Sequence, residues 1–177
     1  MTVRLTVPRA EWQAQVQATA MAYGHGLVPV VKGNGYGFGR PLLHDLVAAV
    51  GQQHVCVGTV HELHDVPAAL TPIVLTPALA PPSRVDAVVT VGSVYHVAAL
   101  AGWKGSVVVK LASSMRRYGV TVAGLPELLA AVDGAGLRVH SFGLHLPLVG
   151  DDTSRLAEIE SWLSHLPVDT PLWVSHL

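Results

Sequence analysis

The sequence predicts an α/β fold built on a buried parallel sheet. Three features carry that expectation. Half of the 177 residues are hydrophobic and 13% are charged, enough apolar side chains for one sizeable core. The apolar residues gather in short runs without polar alternation, the pattern of strands covered on both faces. Segments with apolar residues at helical spacing separate these runs, so strand and helix alternate.

The elements follow in order. Residues 10–23 form a helix with Trp12, Val16, Ala20 and Tyr23 at helical spacing, stopped by Gly24. The first strand covers 28–32. Pro41 suits the first position of the next helix, and Leu42, Leu43, Leu46, Val47 and Val50 form its apolar face before Gly51. Strands are expected at 55–58, 72–75, 87–91 and 106–111, all short and rich in β-branched side chains. Pro126 opens a helix over 127–132 that stops at Gly134. A strand over 139–146, a helix over 152–165 with Leu156, Ile159, Trp162 and Leu163 on one side, and a last strand at 171–175 complete the series. The Pro-rich stretch 76–82 is a loop inside it, so the chain reads as one domain, 1–177, ending near its seventh strand. Seven strands fit a (β/α)8 TIM barrel short of its eighth, and equally an open, doubly wound sheet.

Composition narrows the function classes. A net charge of −1 gives no electrostatic reason to expect nucleic acid or an anionic membrane as partner. No apolar segment approaches the roughly 20 residues that span a bilayer, and the N-terminus lacks the apolar core of a signal peptide. Cys56 is the single cysteine, so no internal disulfide forms and a reducing, cytoplasmic setting is expected. No metal is expected. His61, Glu62, His64 and Asp65 read as an exposed helix face, because the HExxH zinc pattern needs two residues between glutamate and the second histidine.

The chemistry concentrates at strand ends. In Val30-Val31-Lys32-Gly33-Asn34-Gly35-Tyr36-Gly37-Phe38-Gly39, a lysine closes an apolar strand, where barrel enzymes place reactive groups. Four glycines at alternate positions then let the backbone approach a ligand. Lysine at a buried strand end loses its proton more easily, as Schiff-base chemistry requires. Neither a Walker loop nor GxGxxG is present. The residues alone read equally as a Gly-rich turn beside a snorkelling lysine.

This segment resembles the alanine racemase signature VVKANAYGHG, with Gly33 and Gly35 in place of alanines and Phe38 in place of histidine. The resemblance implies that Lys32 holds pyridoxal 5'-phosphate as a Schiff base and serves as one of two racemising bases, while Tyr36 hydrogen-bonds the cofactor phosphate. The glycines are expected to loosen the loop. A second segment, residues 109–119, resembles LKVDTGMGRLG of the same family. It places Arg117 on the arginine that contacts the cofactor's phenolic oxygen and helps place the substrate carboxylate. Lys110 falls on a lysine that some members carry as a carbamate. Ala112, Ser114 and Arg116 depart from that pattern. In Gly143-Leu144-His145-Leu146-Pro147, His145 resembles the histidine whose ring packs beside the pyridine. Gly58-Thr59-Val60-His61-Glu62-Leu63 is similar to the family's ATLEEA, and Ser175-His176 lies near its phosphate-binding Asn-Ser segment.

The family resemblance selects the TIM barrel over the open sheet. It implies an incomplete barrel without the family's C-terminal β-domain, and a small amino acid as substrate. It also implies a homodimer in the full-length form, in which a tyrosine of the β-domain supplies the second base. The implied activity is interconversion of L- and D-alanine for cell-wall precursors. The alternative is a non-catalytic pyridoxal-phosphate-binding barrel, or a degenerate relative. The N-terminal motif does not name the amino acid.

Overall fold

The computed structural model of the chain describes residues 5–175; Met1 to Arg4, His176 and Leu177 lie outside the described residues, the second half of the Ser175-His176 pair among them. Six strands form one sheet in chain order: β1 (His54–Val57), β2 (Thr71–Val74), β3 (Val88–Val91), β4 (Ser106–Lys110), β5 (Arg138–His145) and β6 (Leu172–Ser175). Every neighbouring pair is parallel. An unbroken sequential order has no point where the winding reverses, so the doubly wound alternative is excluded.

The sheet curls. His54 of β1 and Trp173 of β6 belong to opposite ends of it, yet their ring centroids lie 6.2 Å apart. His140 of β5 stands between them, 5.4 Å from His54 and 5.1 Å from Trp173. Only a sheet bent into a partial barrel brings these rings together, and they fill the interior near the start of the strands. The fold is an incomplete TIM barrel.

Alternation along each strand sorts residues between the two faces. Val55, Val57, Val89, Val91, Val107, Val109, Phe142 and Leu144 face outward into the main core. They meet side chains from α2 (Arg40–Ala49), α4 (Leu125–Gly134) and α5 (Asp152–Leu163), among them Val47, Leu128, Val132 and Trp162. Cys56, Ile73, Val88 and Val108, with Val28, Leu75 and Trp173, line the concave face. Both faces are apolar, hence the unalternating strand sequences.

Local chemistry sets the helix ends. Pro41 and Pro126 occupy first-turn positions of α2 and α4, where the missing N–H is no loss. Asp151 caps α5 by accepting from the Ser154 N–H at 2.7 Å. α1 (Arg9–Tyr23) ends at Gly24 as expected. α3 (Val94–Ala98), capped by Ser93, is only five residues long and too short for a periodic signal. No described helix is long and apolar enough to cross a membrane.

Two elements differ from expectation. The predicted strand at 28–32 is a single parallel bridge, Val30 to Cys56, held by Cys56 N–H on Pro29 O at 2.8 Å and Val31 N–H on Cys56 O at 2.7 Å. Pro29 has no N–H to extend the ladder, and Gly33 turns away at φ +61°. The expected exposed helix face at 61–65 is a 3-10 turn, Val60–Asp65, whose Glu62 and Asp65 are partly buried against the lysine loop.

Candidate functional site

Because all strands are parallel, their C-terminal ends share one rim, the rim that carries function in closed barrels. The Val30–Cys56 bridge brings Lys32 level with Gly58. Lys110 is level with Gly143, and His145 with Ser175. Val31, Val109 and Leu144 point into the outer core, so alternation turns Lys32, Lys110 and His145 to the concave side. Arg117 and Tyr36 stand on the loops that follow, both exposed. Arg117 lies near enough for its charge to act on Lys110.

Burial falls on Lys110 rather than on Lys32. Lys32 was expected at a buried strand end; it is exposed, because the chain leaves the sheet directly after it. Lys110 is partly buried. Burial, and secondarily the Arg117 charge, bring it down from 10.5 to about 8. Among the described residues the ion pairs are Arg40–Asp65, Arg84–Asp86 and Arg155–Asp152. Lys32, Lys110, Arg116 and Arg117 therefore have no described carboxylate within 4.0 Å.

The loop after Lys32 is tightly built, which corrects the expectation of a loosened segment. Gly35 N–H bonds Lys32 O at 3.0 Å, Phe38 N–H bonds Gly35 O at 2.9 Å, and Gly39 N–H bonds Asn34 O at 3.0 Å. The Asn34 side chain accepts from Gly37 N–H at 3.0 Å. Gly35 has φ +66°, and a Cβ there would stand 2.7 Å from the Gly39 carbonyl carbon. Alanine, the residue of the related signature, does not fit this turn. Tyr36 takes φ +54° and is 60% exposed. Phe38 stacks on Trp12 of α1 at 4.8 Å.

Charged groups that sequence reasoning missed hold this loop. Glu62 accepts Gly33 N–H at 3.3 Å and, through its other oxygen, Gly58 N–H at 2.7 Å. Arg40 donates to Gly33 O at 2.5 Å and to Asp65 at 2.7 Å. Burial by itself would raise the Asp65 carboxyl; the Arg40 hydrogen bond and charge, with His64 and His44 nearby, outweigh it and hold the group below its ordinary value. Glu62 stands in a recognisable motif with Gly58, but its other partner, Gly33, lies 29 residues away in sequence, and no spacing rule reveals it.

The second loop is fixed in the same manner. Ser114 gives both its N–H and its hydroxyl to Glu158 of α5, at 2.6 Å each. Trp162 Nε1 donates to Ala112 O at 3.1 Å, and the Tyr118 hydroxyl to Leu75 O at 2.6 Å. A Cβ on Gly119 would stand 2.5 Å from the Leu111 carbonyl, which accounts for the glycine that closes the second motif. Ser113 donates to His145 O at 2.6 Å, and the Ser175 hydroxyl lies 2.7 Å from His145 Nδ1. The imidazole is thereby oriented from β6.

A parallel sheet curled in chain order, with cations at its C-terminal rim, has the frame of a TIM-barrel domain. The family described as alanine racemase, N-terminal domain, matches residues 9–168, and the chain belongs to it. Among solved structures, alanine racemase from E. faecalis is similar at 22% identity and a TM-score of 0.75, over 92% of this chain and 50% of that one. Histidine racemase from Leuconostoc mesenteroides gives 16% identity and a TM-score of 0.77, over 92% and 51%. Alanine racemase from Bartonella henselae, with covalently bound pyridoxal phosphate, gives 17% and 0.67, over 90% and 51%. The chain thus spans about half the length of these relatives. No curated protein matches it significantly.

Proposed function

We propose that this chain is the cofactor-holding barrel segment of a pyridoxal-phosphate-dependent amino-acid racemase, acting on alanine or another small amino acid. The observation that supports this most is the placement of Lys32, Lys110 and His145 on one concave rim, with Arg117 at its lip and no described carboxylate within 4.0 Å of the cations. A phosphate-bearing aldehyde fits such a site: a primary amine for its carbonyl, cations and donors for its oxygens, and an oriented imidazole for its ring.

In this reading Lys32 is the covalent anchor, Tyr36 bonds the phosphate, Arg117 meets the phenolic oxygen and the substrate carboxylate, and His145 packs beside the ring. When bound, pyridoxal phosphate supplies an electron sink for the charge left at the substrate Cα. Lys32 Nζ takes up or returns the Cα proton on one face. Lys110, neutral in part near pH 8, reacts with carbon dioxide to give a carbamate that pairs with Arg117, releasing a proton. The opposite face needs a second base. We assign it to the half of the relatives' length that this chain does not span, as a tyrosine from the partner subunit of a homodimer. The proposed product is a D-amino acid, with D-alanine for cell-wall precursors in the cytoplasm as the first candidate.

A second reading, a barrel that binds the cofactor without turnover, is favoured by the segment around Ser114. Ser114 is committed to Glu158, and the Ala112 carbonyl to Trp162, rather than to the rim. The first test is borohydride reduction in the presence of pyridoxal phosphate, followed by peptide mapping. The sequence has three lysines, Lys32, Lys104 and Lys110, so the result is unambiguous. Label confined to Lys32 supports cofactor binding; no label, or label spread over the three, overturns it. Exchange of the Cα hydrogen of labelled alanine by the full-length enzyme then separates turnover from binding alone.

A further inference from the structure

We propose that Glu62, together with Arg40, is the positioning residue for Lys32, fixing its backbone through the adjoining Gly33. The inference rests on the reading of Lys32 as the cofactor-bearing amine. An exposed lysine with four rotatable side-chain bonds is not oriented by its own packing, and the strand that carries it is joined to β1 by one bridge. The ladder stops at the Val31–Cys56 bond. Beyond that point the sheet offers nothing to hold Lys32 in register.

Glu62 replaces the missing ladder. Its two carboxylate oxygens accept Gly33 N–H at 3.3 Å and Gly58 N–H at 2.7 Å, strapping the two strand ends together directly after Lys32. Arg40 grips the other side of the same residue, through Gly33 O at 2.5 Å, and is itself held by Asp65. Both backbone polar groups of Gly33, one in each of the peptides that flank it, are thus taken by charged side chains from two different elements, and hydrogen bonds to charged groups are the stronger kind. The strap sits at the root of the lysine. A Cβ built on Gly58 would stand 3.0 Å from Glu62 Oε1 and 3.3 Å from Lys32 Cβ, so carboxylate and lysine stem flank the same spot. Fixing the Lys32 backbone fixes where Cβ starts, and so the volume that Nζ can reach.

The test compares the chain with its Glu62→Ala and Glu62→Gln variants by two readouts. Without cofactor, the amide resonances of Gly33 and Gly58 report the strap. With pyridoxal phosphate and borohydride, the concentration for half-maximal label on Lys32 reports positioning. Glu62→Ala is expected to move both amide resonances and to raise that concentration about tenfold or more, with the circular dichroism spectrum unchanged. Glu62→Gln keeps an acceptor oxygen and recovers most of the labelling. A folded Glu62→Ala variant labelled like the parent, or a glutamine variant no better than alanine, overturns the proposal. If the alanine variant does not fold, the glutamine variant decides: shifted amides with partly weakened labelling support the strap, and parental values for both overturn it. If the parent itself takes no label on Lys32, the cofactor reading falls, and with it the part of the proposal that rests on it. The amide readout still shows whether the strap exists.

Discussion

Replacing Lys110 by methionine removes a cation from the concave rim and keeps an unbranched side chain of similar length. Burial, with the Arg117 charge second, lowers the lysine from 10.5 to about 8. The folded chain therefore holds this proton less tightly than the unfolded one does. That difference corresponds to about 3 kcal/mol, and solvent reaching the partly exposed amine reduces it to about 2 kcal/mol. The sign follows from proton counting. Between about pH 8 and 10.5 the unfolded chain binds more protons, so the parent's stability rises with pH. Below about 8 the penalty is complete, and above 10.5 it is gone. Lys110→Met does not titrate there, so it is expected to be about 2 kcal/mol more stable than the parent at pH 7, roughly 4–8 °C in Tm. The advantage should close as pH climbs to 10.5. Urea unfolding of both proteins across this range measures it. Better apolar packing would add an offset independent of pH, so the slope is the diagnostic. A constant difference, or a methionine variant less stable at pH 7, would refute the argument.

Other substitutions probe separate parts of the structure. Cys56, whose thiol burial pushes up to about 12, should resist alkylation in the native chain at pH 8 and react fully on unfolding; fast native labelling would contradict its placement on the concave face. Gly35→Ala should destabilise by about 1–3 kcal/mol, read from denaturant midpoints, because its Cβ meets the Gly39 carbonyl carbon at 2.7 Å; a neutral effect would show that the turn relaxes freely. Asp65, held below 3.8 in the folded chain, lends stability that is present above that value and lost as pH falls through the folded one. Asp65→Asn should accordingly cost about 1 kcal/mol at neutral pH and nothing in strong acid, which acid titration of both proteins would show. Native mass spectrometry in bicarbonate should reveal one added carbon dioxide on the parent and none on Lys110→Met; an equal gain on both would place the carbamate elsewhere.

Much of the fold was legible. The runs at 55–58, 72–75, 87–91 and 106–111 are found as β1 to β4 within a residue or two at each end, because a buried parallel strand has no reason to alternate. Prolines and glycines placed α2 and α4. The strand at 28–32 was overestimated, since apolar content does not show that Pro29 and Gly33 leave it a single bridge. Periodicity carries no signal for α3, and the spacing at 61–65 predicts an exposed helix face where the 3-10 turn Val60–Asp65 forms.

The sequence by itself determined the alternation of strand and helix, the places of Lys32, Lys110 and His145 at strand ends, and the glycines their loops require. These depend on local spacing, backbone conformation and side-chain size, which neighbouring residues specify. The tertiary structure decided how the sheet curls, which face each strand-end residue takes, and which lysine is buried. Burial selects Lys110 because the chain packs around β4, while Lys32 emerges where the ladder stops. The groups that brace the two loops also belong to the tertiary level. Glu62 reaches Gly33 across 29 residues and Glu158 reaches Ser114 across 44, and such pairings exist only once the barrel wall has brought distant helices and loops to the same rim.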